Sequence, residues 1–268
     1  MMGTCKLCGE QRQLEKSHII PRSYYRHAKR GKGQLIKIKD DQDTAPALIN
    51  SDPKEPLLCR DCEQFLSDNY EREGTRLFKP SRDRRHQVVR MGEYVKFKGF
   101  KYRATYLYFL SILWRAAVSH LPQYAGVELA DIEPHVRDCL RRRRLDLNPT
   151  VRIDHLIKLG IVRVVDRTGV VPDSLLKGAI LDLNRSLGKP ANMQGVMFYF
   201  MVDGFLIVYV LKPAPSLEQL RTARFEFQVP DRSSVKIRYL DIQEVAEISN
   251  VMATAIRKAQ EHPEVGPQ

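Results

Sequence analysis

The sequence lacks an apolar run long enough to cross a membrane. Its longest apolar stretches, 106–118 and 196–211, are interrupted by Arg115 and by Asp203-Gly204, and they fall short of the roughly 20 residues that a spanning helix needs. The first residues also lack the apolar core of a signal peptide. We therefore expect a cytoplasmic protein that does not interact with membranes, whose cysteines stay reduced.

Acidic residues are scarce relative to basic ones. Among 268 residues there are 44 Lys and Arg against 32 Asp and Glu, which gives a net charge of +12. Such an excess is typical of proteins with an anionic partner, most often nucleic acid, although a soluble basic protein without such a partner also shows it. At 43% hydrophobic and 28% charged residues, the composition is that of a globular chain and excludes a mainly disordered one.

The basic residues are concentrated in one segment. Between residues 76 and 103, ten basic residues stand against two acidic ones, so most of the surplus charge falls within 28 positions. Such a segment could neutralise the phosphates of a DNA backbone. The candidate nucleic-acid contacts are Arg82, Arg84, Arg85, Lys96, Lys98 and Lys101.

Only five cysteines are present, and four of them form two C-x-x-C pairs, Cys5 with Cys8 and Cys59 with Cys62. Each pair presents two thiolates from one tight turn, and two such turns complete the tetrahedral ligand set that Zn²⁺ prefers. Four thiolates leave no open coordination position, so the predicted zinc is structural. The alternative is that the cysteines are buried without a ligand or form a redox pair.

The segment between the two pairs carries a second pattern. Ser17-His18-Ile-Ile-Pro follows the first pair, and Leu57-Leu58 leads directly into the second. This order resembles the HNH endonucleases, in particular their zinc-stapled branch, over residues 5 to 75. The resemblance implies a ββα-metal module, in which two strands and a helix surround a catalytic divalent ion such as Mg²⁺ or Mn²⁺. It also implies that His18 is the general base that activates water against a phosphodiester.

Three positions depart from the usual pattern of that family. Ser17 stands where an acidic residue or histidine commonly binds the catalytic metal. Lys54 stands at the place of the family's asparagine, with Asn50 nearby as a displaced substitute. Glu63 follows the second cysteine pair in place of histidine or asparagine. Residues 57–63 and 110–116 are also similar to a bacterial group of HNH-like proteins, in which glutamate after the second pair is usual.

Two of these residues have alternative interpretations. Glu63 could hold the catalytic cation, helped by Ser67 and Asp68 on the helix that follows, or it could merely cap that helix. His18 could act on substrate, with Glu63 as its catalytic partner, or it could pack against the zinc site without touching substrate.

The remaining sequence predicts a core helix and a hairpin. Apolar residues recur at helical spacing from residue 102 to 120, and residues 93–103 alternate apolar and basic side chains around Gly99. The first pattern predicts a buried helix and the second a hairpin with one charged face.

Beyond Pro149, short runs rich in β-formers predict a mostly antiparallel sheet. Its clearest hairpin pairs 196–202 with 206–211 around Asp203-Gly204. Asp241 predicts the start of a long closing helix, with Glu244 completing a capping box.

We therefore expect an α+β protein of three parts: an HNH-like zinc module (1–80), a basic hairpin and helical region (81–148), and an α+β domain (149–268) that could serve a protein partner or a homodimer. The predicted function is metal-dependent cleavage of DNA. The first alternative is a zinc-stabilised nucleic-acid-binding or adaptor protein with a degenerate site. The second is a purely structural subunit.

Overall fold

A computed structural model describes most of the chain. The described residues are 1–28, 35–37, 47–49, 53–75, 87–185, 195–211, 218–219 and 227–244. Three predicted nucleic-acid contacts, Arg82, Arg84 and Arg85, lie outside these ranges, and so does the predicted closing helix beyond Glu244.

The N-terminal part is built on a small antiparallel sheet. Its strands are β1 (Met2–Thr4), β2 (Gln11–His18) and β5 (Lys54–Cys59), with β2 in the centre. Between β2 and β5 the chain forms α1 (Arg22–Ala28) and a ribbon of β3 (Leu35–Lys37) with β4 (Ala47–Ile49).

One continuous helix follows β5. It begins as α2 (Arg60–Leu66), widens into a π-helical stretch (Ser67–Glu71) and ends as α3 (Arg72–Gly74). The helix packs on β2 and β5. Two antiparallel strands and a helix therefore surround the N-terminal cysteines.

The rest of the chain is organised around a seven-stranded sheet of order β6-β7-β12-β8-β11-β10-β9. All neighbours are antiparallel except β12 and β8, which are parallel. This confirms the predicted mixed α+β class. Strands on both sides of residue 148 belong to this one sheet. The strands are β6 (Gln87–Arg90), β7 (Tyr94–Lys98), β8 (Ile157–Val165), β9 (Leu181–Arg185), β10 (Val196–Val202), β11 (Phe205–Leu211) and β12 (Ser234–Asp241).

A buried helix, α4 (Tyr102–Ala117), joins the two parts. Thirteen of its sixteen residues are buried. On one side Tyr209 of β11 donates a hydrogen bond to the carbonyl of Phe109 at 2.7 Å. On the other side the ring of Tyr108 lies so close to Gly74 that it would overlap a Cβ there. The helix thus lies between the sheet and the helix that follows the second cysteine pair.

Shorter helices complete the described fold. They are α5 (Glu133–Arg142), α6 (Ile153–Leu156), α7 (Asp173–Gly178) and three 3₁₀ turns at Pro122–Tyr124, Ala130–Ile132 and Ile242–Glu244. Across the described ranges, no helix is both long and apolar enough to span a bilayer.

The hairpin predicted around Gly99 is wrong in its pairing. The chain reverses direction at residues 91–93, so β7 pairs with the preceding strand β6. Beyond Gly99 the chain enters α4. Helix is favoured there because Tyr106 and Phe109 are buried together only at helical spacing. The charged face is nevertheless present: Val95 and Phe97 are buried, whereas Lys98 is exposed.

One local prediction is confirmed, and a second is met in part. β10 and β11 are joined by Asp203 (φ 51°) and Gly204 (φ 73°), the positive angles of a type I′ turn. The Asp241 backbone N–H donates to Glu244 Oε1 at 3.1 Å, and Asp241 Oδ1 accepts from the Gln243 N–H at 3.0 Å. The bond to Glu244 is one half of the predicted capping box, whereas Asp241 Oδ1 accepts from Gln243 and not from the N–H of Glu244.

Gly204→Ala should destabilise the protein more than Gly169→Ala. Both glycines have positive φ, but only Gly204 lies under the Arg163 guanidinium, which would overlap an added Cβ. We expect each variant to lose about 1 to 2 kcal/mol from backbone strain, with a further loss for Gly204→Ala because Arg163 must move. Urea unfolding of both variants measures the difference; equal losses would mean that the Arg163 contact contributes nothing.

Candidate functional site

The four N-terminal cysteines converge on one point. Cys5 and Cys8 lie in the turn after β1, Cys59 ends β5, and Cys62 lies in the first turn of α2. Their sulfur atoms all lie within 4.8 Å of one another. Sulfur ligands at about 2.3 Å from a tetrahedral zinc would be about 3.8 Å apart. The cluster could therefore hold a metal ion such as zinc.

Backbone hydrogen bonds support this cluster. The N–H of Cys59 points at Cys5 Sγ at 3.3 Å, and the N–H of Gly9 donates to the carbonyl of Cys5 at 2.8 Å. Burial raises the pKa of the Cys5 thiol, but N–H groups of Cys8 and Cys59 outweigh it, so the net shift is downward. Burial raises the pKa of the Cys62 thiol. Metal binding must then displace protons from the cluster.

His18 ends β2, directly opposite Lys54 of β5. Its ring centroid lies 6.5 Å from that of Tyr25 in α1, and the two rings are tilted by 41°. Tyr25 is buried, whereas His18 is partly exposed. The imidazole therefore lies at the boundary between the module and solvent, with a buried aromatic ring on one side.

Ser17, just before His18, is buried and lies opposite Glu55. The Glu55 carboxylate bonds the hydroxyl of Ser119 and the backbone N–H of His120, just beyond α4. The Ser17 hydroxyl is buried and has no hydrogen-bond partner among the described residues. A buried hydroxyl without a partner is unfavourable and marks a place for a water molecule or ligand.

Glu63 lies in the first turn of α2, where a carboxylate interacts favourably with the helix dipole. Its Oε2 lies 3.7 Å from Nη2 of Arg115 in α4. Its Oε1 is buried, with no hydrogen-bond partner in the part of the chain that the structure describes. One oxygen of Glu63 thus faces a protein cation while the other is unoccupied.

The π-helical stretch brings a second carboxylate to the same arginine. Glu71 Oε1 lies 2.9 Å from Arg115 Nη1. On an ideal α-helix, Glu63 and Glu71 would differ by about 80° around the axis. The wider turns of a π-helix rotate the chain less per residue, which brings the two side chains towards one face.

Arg115 is almost fully buried, at 1% exposure of its side chain. Burial lowers the pKa of this guanidinium, but the carboxylates of Glu71 and Glu63 outweigh it and raise the pKa overall. Two carboxyl groups and one guanidinium give the trio a formal charge of −1. Its Nε and Nη2 have no hydrogen-bond partner among the described residues. We call Glu63, Glu71 and Arg115 the buried charge trio.

The other predicted metal residues lie elsewhere on the helix. Asp68 accepts hydrogen bonds from Gln64 at 2.8 Å and Arg72 at 3.0 Å. Ser67 is partly exposed in the π-helical stretch. Within the described ranges, the four-cysteine cluster is the only group of three or more His, Cys, Asp or Glu side chains arranged closely enough to hold a metal.

The predicted nucleic-acid contacts that the structure describes differ in their surroundings. Lys96 and Lys98 alternate with the buried Val95 and Phe97, so they project from the opposite side of the sheet. Lys101 precedes α4 and bonds Glu73 at 3.0 Å. Lys101 therefore contacts the helix that follows the second cysteine pair.

Sequence reasoning missed Arg115 as a part of the site. The signal for Arg115 was present, because a charge inside a helix that is otherwise apolar must find a buried partner. Nothing in the sequence showed which carboxylates would meet it. The pairing depends on how α4 packs against the helix after the second cysteine pair.

The purified protein should contain about one zinc ion per chain. Cys59→Ser should lose most of this zinc and lower the stability of the N-terminal part, because metal binding contributes to folding. Cys139→Ser is the matched control, since Cys139 is buried in α5 away from the cluster. Elemental analysis by mass spectrometry measures both; zinc retained by Cys59→Ser would remove the assignment.

Arg115→Met should reduce the free energy of unfolding by about 3 to 5 kcal/mol, because it leaves two carboxylates without their buried cation. Adding Glu71→Gln to this variant should restore part of the loss. Urea denaturation measures both, with the exposed Arg141→Met as control, for which we expect a change within about 0.5 kcal/mol. A similar loss in Arg115→Met and Arg141→Met would show that the trio does not stabilise the fold.

Comparison of the chain with protein-family models, with curated proteins and with solved structures finds no match in any of the three. A functional assignment therefore has to start from the geometry of the site itself.

Proposed function

We propose that this chain is a metal-dependent endonuclease of HNH type that hydrolyses phosphodiester bonds in DNA. The observation that carries the proposal is the placement of two unpartnered buried oxygens, Ser17 Oγ and Glu63 Oε1. Ser17 directly precedes His18, and Glu63 directly follows Cys62 of the second cysteine pair. Those are the two positions at which the HNH resemblance expects catalytic metal ligands.

The surrounding frame also supports the proposal. β2 ends in His18 and lies antiparallel to β5, and the helix that begins with α2 packs on both strands. The cysteine cluster ties β5 and α2 to the turn before β2. A structural zinc there would hold His18 and Glu63 in a constant relative position without taking part in the reaction.

Each residue then has a defined task. A neutral His18 accepts a proton from the attacking water, which an imidazole can do near neutral pH. Glu63 and Ser17 would hold Mg²⁺ or Mn²⁺, whose chemistry is to bind the scissile phosphate and stabilise the leaving oxygen. Arg115 holds Glu63 by its Oε2 and leaves Oε1 available. The net negative charge of the buried charge trio favours a cation beside it.

One observation favours the second candidate, a zinc-stabilised nucleic-acid-binding or adaptor protein without catalysis. Glu63 already faces one cation, Arg115, and His18 lies opposite another, Lys54. Both positive charges would repel a divalent ion. In this alternative the trio only fixes the helix, and the frame serves binding alone.

His18→Ala should slow cleavage of plasmid DNA in Mg²⁺ or Mn²⁺ by at least about 10²-fold, because it removes the general base. His135→Ala is the matched control, since His135 is exposed on α5. The measurement is the rate of conversion of supercoiled plasmid to nicked or linear forms. Equal rates for His18→Ala and wild type would remove His18 from the mechanism.

Binding of Mn²⁺ separates the two candidates. The zinc-loaded protein should bind an additional Mn²⁺, observed by electron paramagnetic resonance, and Glu63→Gln should weaken that binding. Wild-type protein that binds DNA, takes up no Mn²⁺ and does not cleave would favour the adaptor.

A further inference from the structure

The structure brings together basic residues that lie far apart in the sequence. β12 pairs antiparallel with β7, and Lys236 is the direct cross-strand partner of Lys96. Arg238 and Lys98 extend the same surface along the two strands. We call Lys96, Lys98, Lys236 and Arg238 the basic face.

Pleating sets the direction of these side chains. Val95, Phe97, Val235 and Ile237 are 3% exposed or less and lie in the core that contains α4. The alternate residues therefore project from the opposite surface of the sheet. The basic face lies on the side of the sheet away from α4 and from the buried charge trio.

The face is positive, and the described residues of the two strands place no acid on it. Where β7 and β12 pair with each other, the outward positions are four basic residues with Tyr94 and Ser234. Like charges directly opposite each other on neighbouring strands are unfavourable. Lys96 and Lys236 form such a pair, and neither has a carboxylate partner among the described residues. The repulsion within this pair is a cost to the sheet, which the contact of Lys236 with the Tyr94 ring offsets only in part.

We infer that the basic face binds the phosphate backbone of duplex DNA, at a surface separate from the proposed catalytic site. The choice of DNA rests on the proposed function; the choice of an anionic polymer rests on the charge. Neighbouring cations lie about 5 Å apart across the strands and about 7 Å apart along them, so several can contact one phosphate backbone.

The chemistry of the face argues for phosphate contacts to a duplex. The ammonium of Lys236 lies 4.6 Å from the centre of the Tyr94 ring and covers it, so the ring is not an open platform for unpaired bases. The aliphatic side chains beside the basic face on these strands are Val89 of β6, opposite Lys96, and Leu240 of β12, which is partly buried against an apolar cluster. One exposed valine is too little apolar surface to insert into a bilayer.

The test is duplex binding by the full chain at several salt concentrations, without added divalent ions so that no cleavage occurs. Lys96→Gln combined with Lys236→Gln should weaken binding by about tenfold and reduce the slope of log K against log[salt] by about two. Lys96→Gln alone should not lower the melting temperature, because it removes a repulsive pair.

The matched control is Arg137→Gln combined with Arg141→Gln, which removes the same charge from α5, a helix packed on α4. Little change in this control supports the inference. An equal loss in both double variants would show a general effect of net charge and overturn it. Loss of binding to phosphatidylserine vesicles, with duplex binding unchanged, would overturn it as well.

These outcomes are distinguishable from those of the proposed function. If the wild type fails to cleave but the basic-face variant loses duplex binding, the nuclease is excluded and the binding surface stands. If the wild type cleaves and the basic-face variant binds and cleaves equally well, the surface is excluded and the nuclease stands.

Discussion

The structure depends on one buried positive charge. α4 is covered on both sides, by the sheet and by the helix that follows the second cysteine pair, so Arg115 cannot reach water. A guanidinium in that position is tolerated only with carboxylates beside it. Glu63 and Glu71 come from the N-terminal part. When this part docks on α4, it therefore also neutralises the buried charge of Arg115. Glu63, to which the HNH resemblance assigns a catalytic role, therefore also stabilises the fold.

The structural role of Glu63 and the metal-binding role that we propose for it impose opposite requirements. As a partner of Arg115 it must be ionised and held in place, whereas as a metal ligand it must present an oxygen to the ion. The geometry divides these requirements between its two oxygens, since only Oε2 faces the guanidinium. The π-helical stretch supports this division because it lets Glu71 make the shorter contact with Arg115, at 2.9 Å.

Features specified by neighbouring residues could be predicted from the sequence, and features that depend on packing could not. Each C-x-x-C pair, the Asp203-Gly204 turn and the bond from the Asp241 N–H to Glu244 are local, and the structure has all of them. The partner of β7 was mispredicted because alternation shows which side chains face inward but not which strand lies alongside. For the same reason His18 and Glu63 could be proposed by resemblance, while the contact of Glu63 with Arg115 required the three-dimensional structure.

The central place of β12 in the large sheet has a consequence for folding. This strand comes from residues 234–241 but joins β7 to β8, so the hairpin of β6 and β7 has no neighbour on that side until the last described strand is present. Pairing over such a sequence separation is slow, and an unpaired edge exposed in the meantime can associate with other chains. On a ribosome, the β6–β7 hairpin would wait for about 140 further residues to be synthesised. The alternating lysines of β7 would help to keep that edge soluble until β12 arrives.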